Sequence, residues 1–202
     1  LRADGHTVDT GARPDVDLDE AWRLWGILAG YQYWSGLPPA LNTAVSRFLF
    51  QSYMLRYKLG DGPFTACFSA GMVASRAQYG AALARQTQIC TTVDAFFQQY
   101  AMWILPVSMG EAIVRQRRGS PIDVDGEPVP YSVYLGAYTV PTTLFETPVL
   151  TAPIGLAPSG MPVGVQIHGA RFSDRRLLQT AQRVLGKYLH VRMPPAMARR
   201  PQ

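Results

Sequence analysis

The sequence predicts an α/β fold, because stretches with helical periodicity alternate with short apolar runs that are typical of strands. Its 202 residues suffice for one sizeable core or for part of a larger domain. With 48% hydrophobic and 16% charged residues, the composition is that of a globular protein. No apolar run reaches the roughly 20 residues that a membrane-spanning helix needs, so we expect no membrane partner.

The first third of the sequence predicts a short strand and two helices. Residues 6–9 form the candidate strand, and Asp17 or Asp19 then caps the first helix. Pro38–Pro39 breaks the chain, after which Asn42 is the predicted cap of the second helix. Both helices carry apolar residues at helical spacing.

The middle of the sequence predicts one long helical region and a strand. Residues 70–99 have the longest helical periodicity and form either one helix or two in series. Residues 103–107 are a continuous apolar run, which favours a strand covered on both faces. Residues 108–130 are polar and rich in glycine and proline, so we expect a loop.

The last third predicts two strands and a helix. Apolar runs at 149–152 and 163–167 are separated by glycine and proline residues, as in a hairpin. The following helix ends at Gly186, a residue suited to a left-handed cap. We expect residues 1–192 to be structured, and the proline- and arginine-rich residues 193–202 to form a frayed tail.

The charges do not indicate nucleic-acid binding. The net charge is +5, and arginines cluster at 115–118, 171–176 and 199–200. No aromatic residues alternate with them as a nucleic-acid surface would require, so we expect no nucleic-acid partner. The sequence also contains no metal-ligand cluster.

Three passages carry a family resemblance. The most specific is 148–178, which combines a Pro-Ile-Gly run at 153–155, a strand bearing Gln166 and a helix that opens with a small residue and an acid. Residues 85–106 and 1–14 add weaker matches. Together these passages resemble the C-terminal half of the amidase-signature family, whose members hydrolyse carbon–nitrogen bonds of amides.

The resemblance implies the C-terminal part of a mixed β-sheet flanked by α-helices. Residues 1–192 would be the C-terminal portion of an amidase-signature domain. The family cleaves linear amides with a Ser-Ser-Lys triad and a Gly/Ser-rich oxyanion loop, both supplied by the N-terminal half. No cofactor is implied, and the parent protein is expected to be an amidase-type hydrolase.

We predict no catalytic residue within this chain. It has no Gly-Gly-Ser-Ser-Gly run, and neither Lys58 nor Lys187 has the setting that keeps a lysine neutral. The 202-residue chain alone is therefore expected to be inactive. Its partners would be a small-molecule amide and the N-terminal half of the same domain, and a homo-oligomer is an open alternative.

The predicted contribution of the chain is one wall of the substrate pocket. In the family the segment before the proline-bearing strand lines this pocket, and residues 131–146 occupy that place here. The implied substrate-binding residues are Tyr138, Thr139, Thr142 and Thr143. The aromatic residues of the segment, Tyr138 and Phe145, could instead belong to the core.

His168 leaves two interpretations open. An imidazole is the usual general base near neutral pH, but the family uses no histidine in its chemistry. Alternation along the strand places His168 and Gln166 on one face and Ile167 on the other. Gln166 is interpreted as a structural hydrogen-bonding residue at the end of the sheet.

Departures from the family pattern define two alternatives. The family usually has Asp, Asn and Gly where this chain has Ala101, Thr143 and Glu146, which favours a non-catalytic interaction module. The A-type component of an aminoacyl-tRNA amidotransferase shares the scaffold. That branch tends to carry an acidic residue at the position of Gly136.

The chain starts without a signal-peptide core or an initiator methionine, so we expect a cytoplasmic protein whose sequence begins mid-domain or after a processing or cloning boundary. An isolated half-sheet would expose strand edges and apolar surface. We therefore expect poor solubility or self-association.

Overall fold

The computed structural model describes residues 1–189 and consists of α-helices packed around small β-sheets. The helices are α1 (Leu18–Ser35), α2 (Ala44–Leu49), α3 (Arg56–Leu59), α4 (Pro63–Met72), α5 (Arg76–Gln99), α6 (Tyr131–Gly136) and α7 (Asp174–Leu185). The strands are β1 (Trp103–Pro106), β2 (Ile122–Val124), β3 (Glu127–Val129), β4 (Val149–Leu156) and β5 (Pro162–His168). The predicted tail at 193–202 lies outside the described residues.

The main sheet has three strands in the order β1-β5-β4, so β5 is central. Trp103 of β1 and Val149 of β4 both pair with His168 of β5. Strands β2 and β3 form a separate antiparallel hairpin. Both ladders are antiparallel, so the parallel pairs of the predicted mixed sheet are not among residues 1–189.

Two apolar clusters lie on opposite sides of β5. Helix α7 covers one face, where Ile167 is fully buried against Leu177 and Ala181. On the other side, α1 and α5 pack against the 3-10 helix Pro141–Phe145. This layering confirms the α/β class and the predicted alternation of side chains along β5.

Helices α1 and α4 approach so closely that only glycine fits between their backbones. A Cβ atom added to Gly26 would lie 2.4 Å from the Cys67 carbonyl carbon, and one on Gly30 would lie 2.3 Å from the Phe68 carbonyl oxygen. A Cβ on the facing Gly71 would be 1.9 Å from the Gly26 oxygen. The Gly-x-x-x-Gly spacing puts both α1 glycines on the face that meets α4.

Three predicted features near the chain ends are wrong. Residues 6–9 form no strand, because side chains hold them instead: Arg2 donates to the Val8 carbonyl at 2.9 Å. The cap of α2 is Thr43 rather than Asn42, since the Thr43 hydroxyl accepts from the Ser46 amide at 3.1 Å. Gly186 has a φ of −51°, so the chain continues as the 3-10 turn Gly186–Tyr188 without a left-handed cap.

The middle of the chain brings one confirmation and two corrections. The region 70–99 is divided between α4 and α5, and the α5 N-terminus has a capping box between Ser75 and Gln78. β1 is an edge strand with alternating exposure, so the expected cover on both faces is wrong. The predicted loop 108–130 contains the β2–β3 hairpin, which turns at Asp125 and Gly126 with positive φ angles.

An apolar surface is exposed along the helical region 41–57. Its exposed large side chains are Leu41, Val45, Phe48, Leu49, Tyr53 and Tyr57. The outer edges of β1 and β4 have no ladder partner within residues 1–189. Self-association therefore stays a prediction with two candidate contact surfaces. None of the helices in the described part of the chain has the length and hydropathy to cross a bilayer.

Replacing Gly26 by Ala should lower the free energy of unfolding by about 2–3 kcal/mol, because the added methyl group meets backbone atoms that cannot yield locally. Gly80 is the matched control, since it lies exposed in α5 with no atom within 4 Å of an added Cβ. Gly80→Ala should raise stability by about 0.5–1 kcal/mol. Urea denaturation measures both, and equal effects at the two sites would contradict the close contact.

Candidate functional site

Two large cavities lie on either side of the segment that precedes β4. The first, named here the α6 cavity, has a volume of about 930 Å³ and lies between α6, the loop after β1 and the β4–β5 end of the sheet. The second, the N-terminal cavity, has about 1160 Å³ and is lined by residues 6–13, β1 and part of α7. Tyr138 lines both cavities.

The predicted substrate-binding residues lie within one short segment, but their side chains differ in setting. Tyr138 is half-buried between the cavities, and Thr142 is buried at the wall of the N-terminal cavity. The Thr142 hydroxyl donates to the Tyr138 carbonyl at 2.9 Å, and the Thr143 hydroxyl donates to the Val140 carbonyl at 2.7 Å. Thr139 and Thr143 line neither of the two cavities described within residues 1–189. The wall of the cavities is therefore formed by Tyr138 and Thr142.

Phe145 belongs to the core, with 1% of its surface exposed. It stacks on Trp103 of β1 at a centroid distance of 6.2 Å. The core interpretation thus holds for Phe145, whereas Tyr138 is only partly buried and reaches the cavities.

Gln166 connects the sheet to the cavity wall. Its side-chain amide donates to the Pro106 carbonyl at 2.9 Å and to the Tyr138 carbonyl at 3.0 Å. Gln166 is almost fully buried, so each of these bonds offsets the desolvation of a polar group. The end of β1 and the segment that carries Tyr138 are thereby held at fixed positions relative to β5.

His168 completes this network in a neutral form. Since the Gln166 amide nitrogen is used as a donor, its oxygen accepts from His168 Nε2 at 3.1 Å, and this assigns the proton to Nε2. His168 Nδ1 then accepts from the Thr147 hydroxyl at 2.9 Å. Burial lowers the pKa of His168 to about 4. Both ring nitrogens are occupied and the ring is 1% exposed, which favours the structural role over that of a general base.

Glu146 begins the link between the cavity wall and helix α5. Its backbone is left-handed, with a φ of 54°, at the position where the family resemblance has glycine. Its carboxylate lies 3.5 Å from Arg171, which also pairs with Asp94 of α5, and the Arg171 Nε to Asp94 distance is 2.9 Å. The hydrogen bond to Asp94 raises the pKa of Arg171, which keeps the guanidinium charged. The charge network holds the chain after the 3-10 helix against α5.

Neither lysine has the environment of a proton acceptor. Lys187 is exposed and hydrogen-bonded to Asp4, which raises the pKa of its ammonium group. Lys58 lies over the Tyr57 ring at 5.8 Å. A neutral lysine requires a lowered pKa, so both settings favour the charged form or leave it in solvent contact. Among residues 1–189, no group of three or more His, Cys, Asp or Glu side chains is arranged to hold a metal ion.

Glu111 is a cavity residue that the sequence did not single out. It lines the α6 cavity, and its carboxylate accepts a hydrogen bond from the Ser159 hydroxyl in the β4–β5 turn. Its backbone carbonyl accepts from the Tyr134 hydroxyl at 2.7 Å. These partners are distant in sequence and lie in irregular segments, so no periodicity could have indicated the contact.

Comparison with known proteins identifies the family. The Amidase family model matches residues 65–178, more than half of the chain. The chain belongs to the Amidase family. This confirms the resemblance carried by 148–178 and 85–106.

Individual relatives of the Amidase family cover the chain to different extents. The A-type component of the glutamyl-tRNA(Gln) amidotransferase from Synechococcus sp. (strain WH7803) is 32% identical over 160 residues, covering 79% of this chain and 30% of that protein. The 6-aminohexanoate-cyclic-dimer hydrolase of Paenarthrobacter ureafaciens is 39% identical over 71 residues, covering 35% of this chain and 13% of that protein. The chain thus spans less than a third of the length of these curated relatives.

Solved structures agree on the fold. One amidase superposes with a TM-score of 0.59 at 17% identity, covering 85% of this chain and 36% of that chain. A bacterial aryl acylamidase of the amidase signature family gives a TM-score of 0.55 at 17% identity, covering 85% and 34%. The chain therefore has the α/β fold of about one third of these proteins.

His168 should make stability depend on pH. Its pKa is about 4 in the folded state and near 6.5 when exposed, so the unfolded state binds the proton first as pH falls. The stability contribution is complete above about pH 6.5 and declines toward pH 4 by about 3 kcal/mol. Urea denaturation of wild type and His168→Gln across this range measures the difference. Exposed His6→Gln is the control, and equal pH slopes for wild type and His168→Gln would refute the buried neutral imidazole.

Glu146 should reverse the usual order of alanine and glycine. Both Glu146→Ala and Glu146→Gly remove the contact with Arg171, but only glycine adopts the left-handed backbone without strain. The glycine variant should be more stable than the alanine variant by about 1 kcal/mol. At exposed Gln179 in α7 the order should be the opposite, with alanine better by about 1 kcal/mol. Thermal or urea unfolding of the four variants decides the matter.

Proposed function

We propose that this chain is the scaffold and one substrate-pocket wall of an amidase that hydrolyses carbon–nitrogen bonds in linear amides. The observation that carries the proposal is the α6 cavity. It has the size of a small-molecule site, and it lies where the cavity wall segment, the β1 loop and the β4–β5 end of the sheet meet. Tyr138 is the implied pocket residue that this geometry supports best, with Thr142 on its other side.

The chemical step is assigned to residues outside this chain. A serine nucleophile needs an adjacent proton acceptor and an oxyanion-binding loop. Within residues 1–189 the lining of the α6 cavity contains one serine, Ser108, whose hydroxyl donates to the Gly110 carbonyl and contacts no base. The N-terminal half of the same domain is therefore the proposed source of the Ser-Ser-Lys triad, and the 202-residue chain alone is proposed to be inactive. The expected cytoplasmic location stays a prediction.

The A-type component of a tRNA amidotransferase is the second candidate, because the Synechococcus relative covers 79% of the chain. The structure disfavours it at Gly136, where that branch tends to carry an acid. A Cβ at Gly136 would lie 2.9 Å from Val140 Cγ2 and 3.3 Å from Trp22 Cη2. Glutamine-dependent transamidation in the presence of a partner protein would favour this candidate over the amidase.

Amide hydrolysis should appear only when the chain is extended by an N-terminal half that carries both serines and the lysine. Within that active protein, Val163→Trp should lower kcat/KM by about tenfold or more, because the ring fills the α6 cavity. Val114→Trp is the matched control, since Val114 is 87% exposed.

Release of ammonia or amine from aryl and alkyl amides measures both effects. Turnover by the 202-residue chain would overturn the division of labour. An inactive extended protein would support the non-catalytic alternative. An unchanged Val163→Trp enzyme would remove the substrate from the α6 cavity.

A further inference from the structure

The α6 cavity has one charged residue in its lining, Glu111, within the part of the chain that the structure describes. This is unexpected for a chain with a net charge of +5. Glu111 lies in the loop that follows β1 and is only partly exposed. Its negative charge is therefore a local feature of the cavity, opposite in sign to the chain as a whole.

The remaining lining is apolar and aromatic. Tyr131, Tyr134 and Tyr138 line one side, and proline and aliphatic residues of β1, β4 and β5 form much of the rest. Tyr134 is buried, and its hydroxyl is used in a bond to the Glu111 backbone. Such a surface favours a ligand with an apolar body, because it offers dispersion contacts and few free hydrogen-bond donors.

The carboxylate of Glu111 is held in place but not neutralised. The Ser159 hydroxyl donates to it from the β4–β5 turn, which ties the loop after β1 to the far side of the cavity. None of the ion pairs found within residues 1–189 involves Glu111. A hydroxyl donor positions a carboxylate without cancelling its charge, so the group remains able to bind a cation.

The cavity therefore combines a fixed negative charge with aromatic walls. An ammonium group is attracted both by the carboxylate and by the π-face of a tyrosine ring. A carboxylate-bearing ligand would meet repulsion from Glu111, and a neutral polar group would gain neither interaction. The chemistry favours a cation on an apolar ligand.

We infer that the α6 cavity selects amides whose apolar body carries a cationic amino group, with Glu111 as the residue that recognises the ammonium. This inference rests on the proposed function for the amide part of the ligand. The preference for a cation rests on Glu111 and the tyrosines alone.

A direct binding experiment tests this without requiring turnover. The probes are 4-(aminomethyl)benzamide, which is cationic at pH 7, its neutral isostere 4-ethylbenzamide and the anionic 4-(carboxymethyl)benzamide. Isothermal titration calorimetry measures their dissociation constants with wild type, Glu111→Gln and Glu127→Gln. Glu127 is exposed in β3 and outside the cavity lining, so it matches the charge change without the site.

The cationic amide should bind wild type about tenfold more tightly than the neutral isostere, and the anionic amide should bind weakest. Glu111→Gln should reduce this preference to less than about threefold, while Glu127→Gln should leave it unchanged. Val163→Trp should abolish binding of all three, which locates them in the α6 cavity.

Equal binding of the cationic and neutral amides, or binding of none of the probes, would overturn the inference. So would a cation preference that survives Glu111→Gln. The outcome is distinct from that of the activity assay. A cation preference in a protein without amidase turnover would sink the proposed function and leave the cation site intact, whereas turnover without a preference would do the reverse.

Discussion

The hydrogen bonds of the Gln166 side chain determine how the sheet meets the segment that lines both cavities. The amide is 3% exposed and bonds to Pro106, Tyr138 and His168. An unsatisfied buried amide costs about 1–3 kcal/mol, so the arrangement persists only while every partner is in place. The carbonyl of Tyr138 thus has a fixed distance from β5, and the side chain of Tyr138 is presented from a rigid backbone. Cavity shape depends on this small polar network more than on the surrounding apolar contacts.

Local sequence rules predicted the elements whose signals are local. Asp17 caps α1 as expected, and the alternation of Gln166, Ile167 and His168 along β5 follows from the two-residue period of a strand. The side on which each residue lies was therefore available from sequence. The partners of Gln166 were not, because the carbonyls of Pro106 and Tyr138 are brought near it by tertiary packing. The same limit applies to β1, since a run of apolar residues does not reveal whether a strand is central or at an edge.

The candidate site shows the same division. The family resemblance pointed to the segment that holds Tyr138, and it also placed glycine where Glu146 now adopts a left-handed backbone. A position at which relatives have glycine is thus a usable signal of positive φ. Glu111 and Ser159 lie in irregular segments, where neither periodicity nor turn chemistry specifies a contact partner. The glycine pair on α1 was visible as a Gly-x-x-x-Gly pattern, but the pattern alone does not indicate which helix it meets.

The glycine contact between α1 and α4 also affects the residues that connect these helices. With the two backbones in direct contact, the intervening segment 36–62 is a closed loop anchored at both ends. The entropic cost of closing a loop grows only slowly with its length, by about 0.6 kcal/mol per doubling. The helix pair is therefore nearly indifferent to how many residues the segment contains. This makes 36–62, with its exposed apolar side chains, the part of the chain where insertions and deletions can accumulate without disturbing the cavity wall.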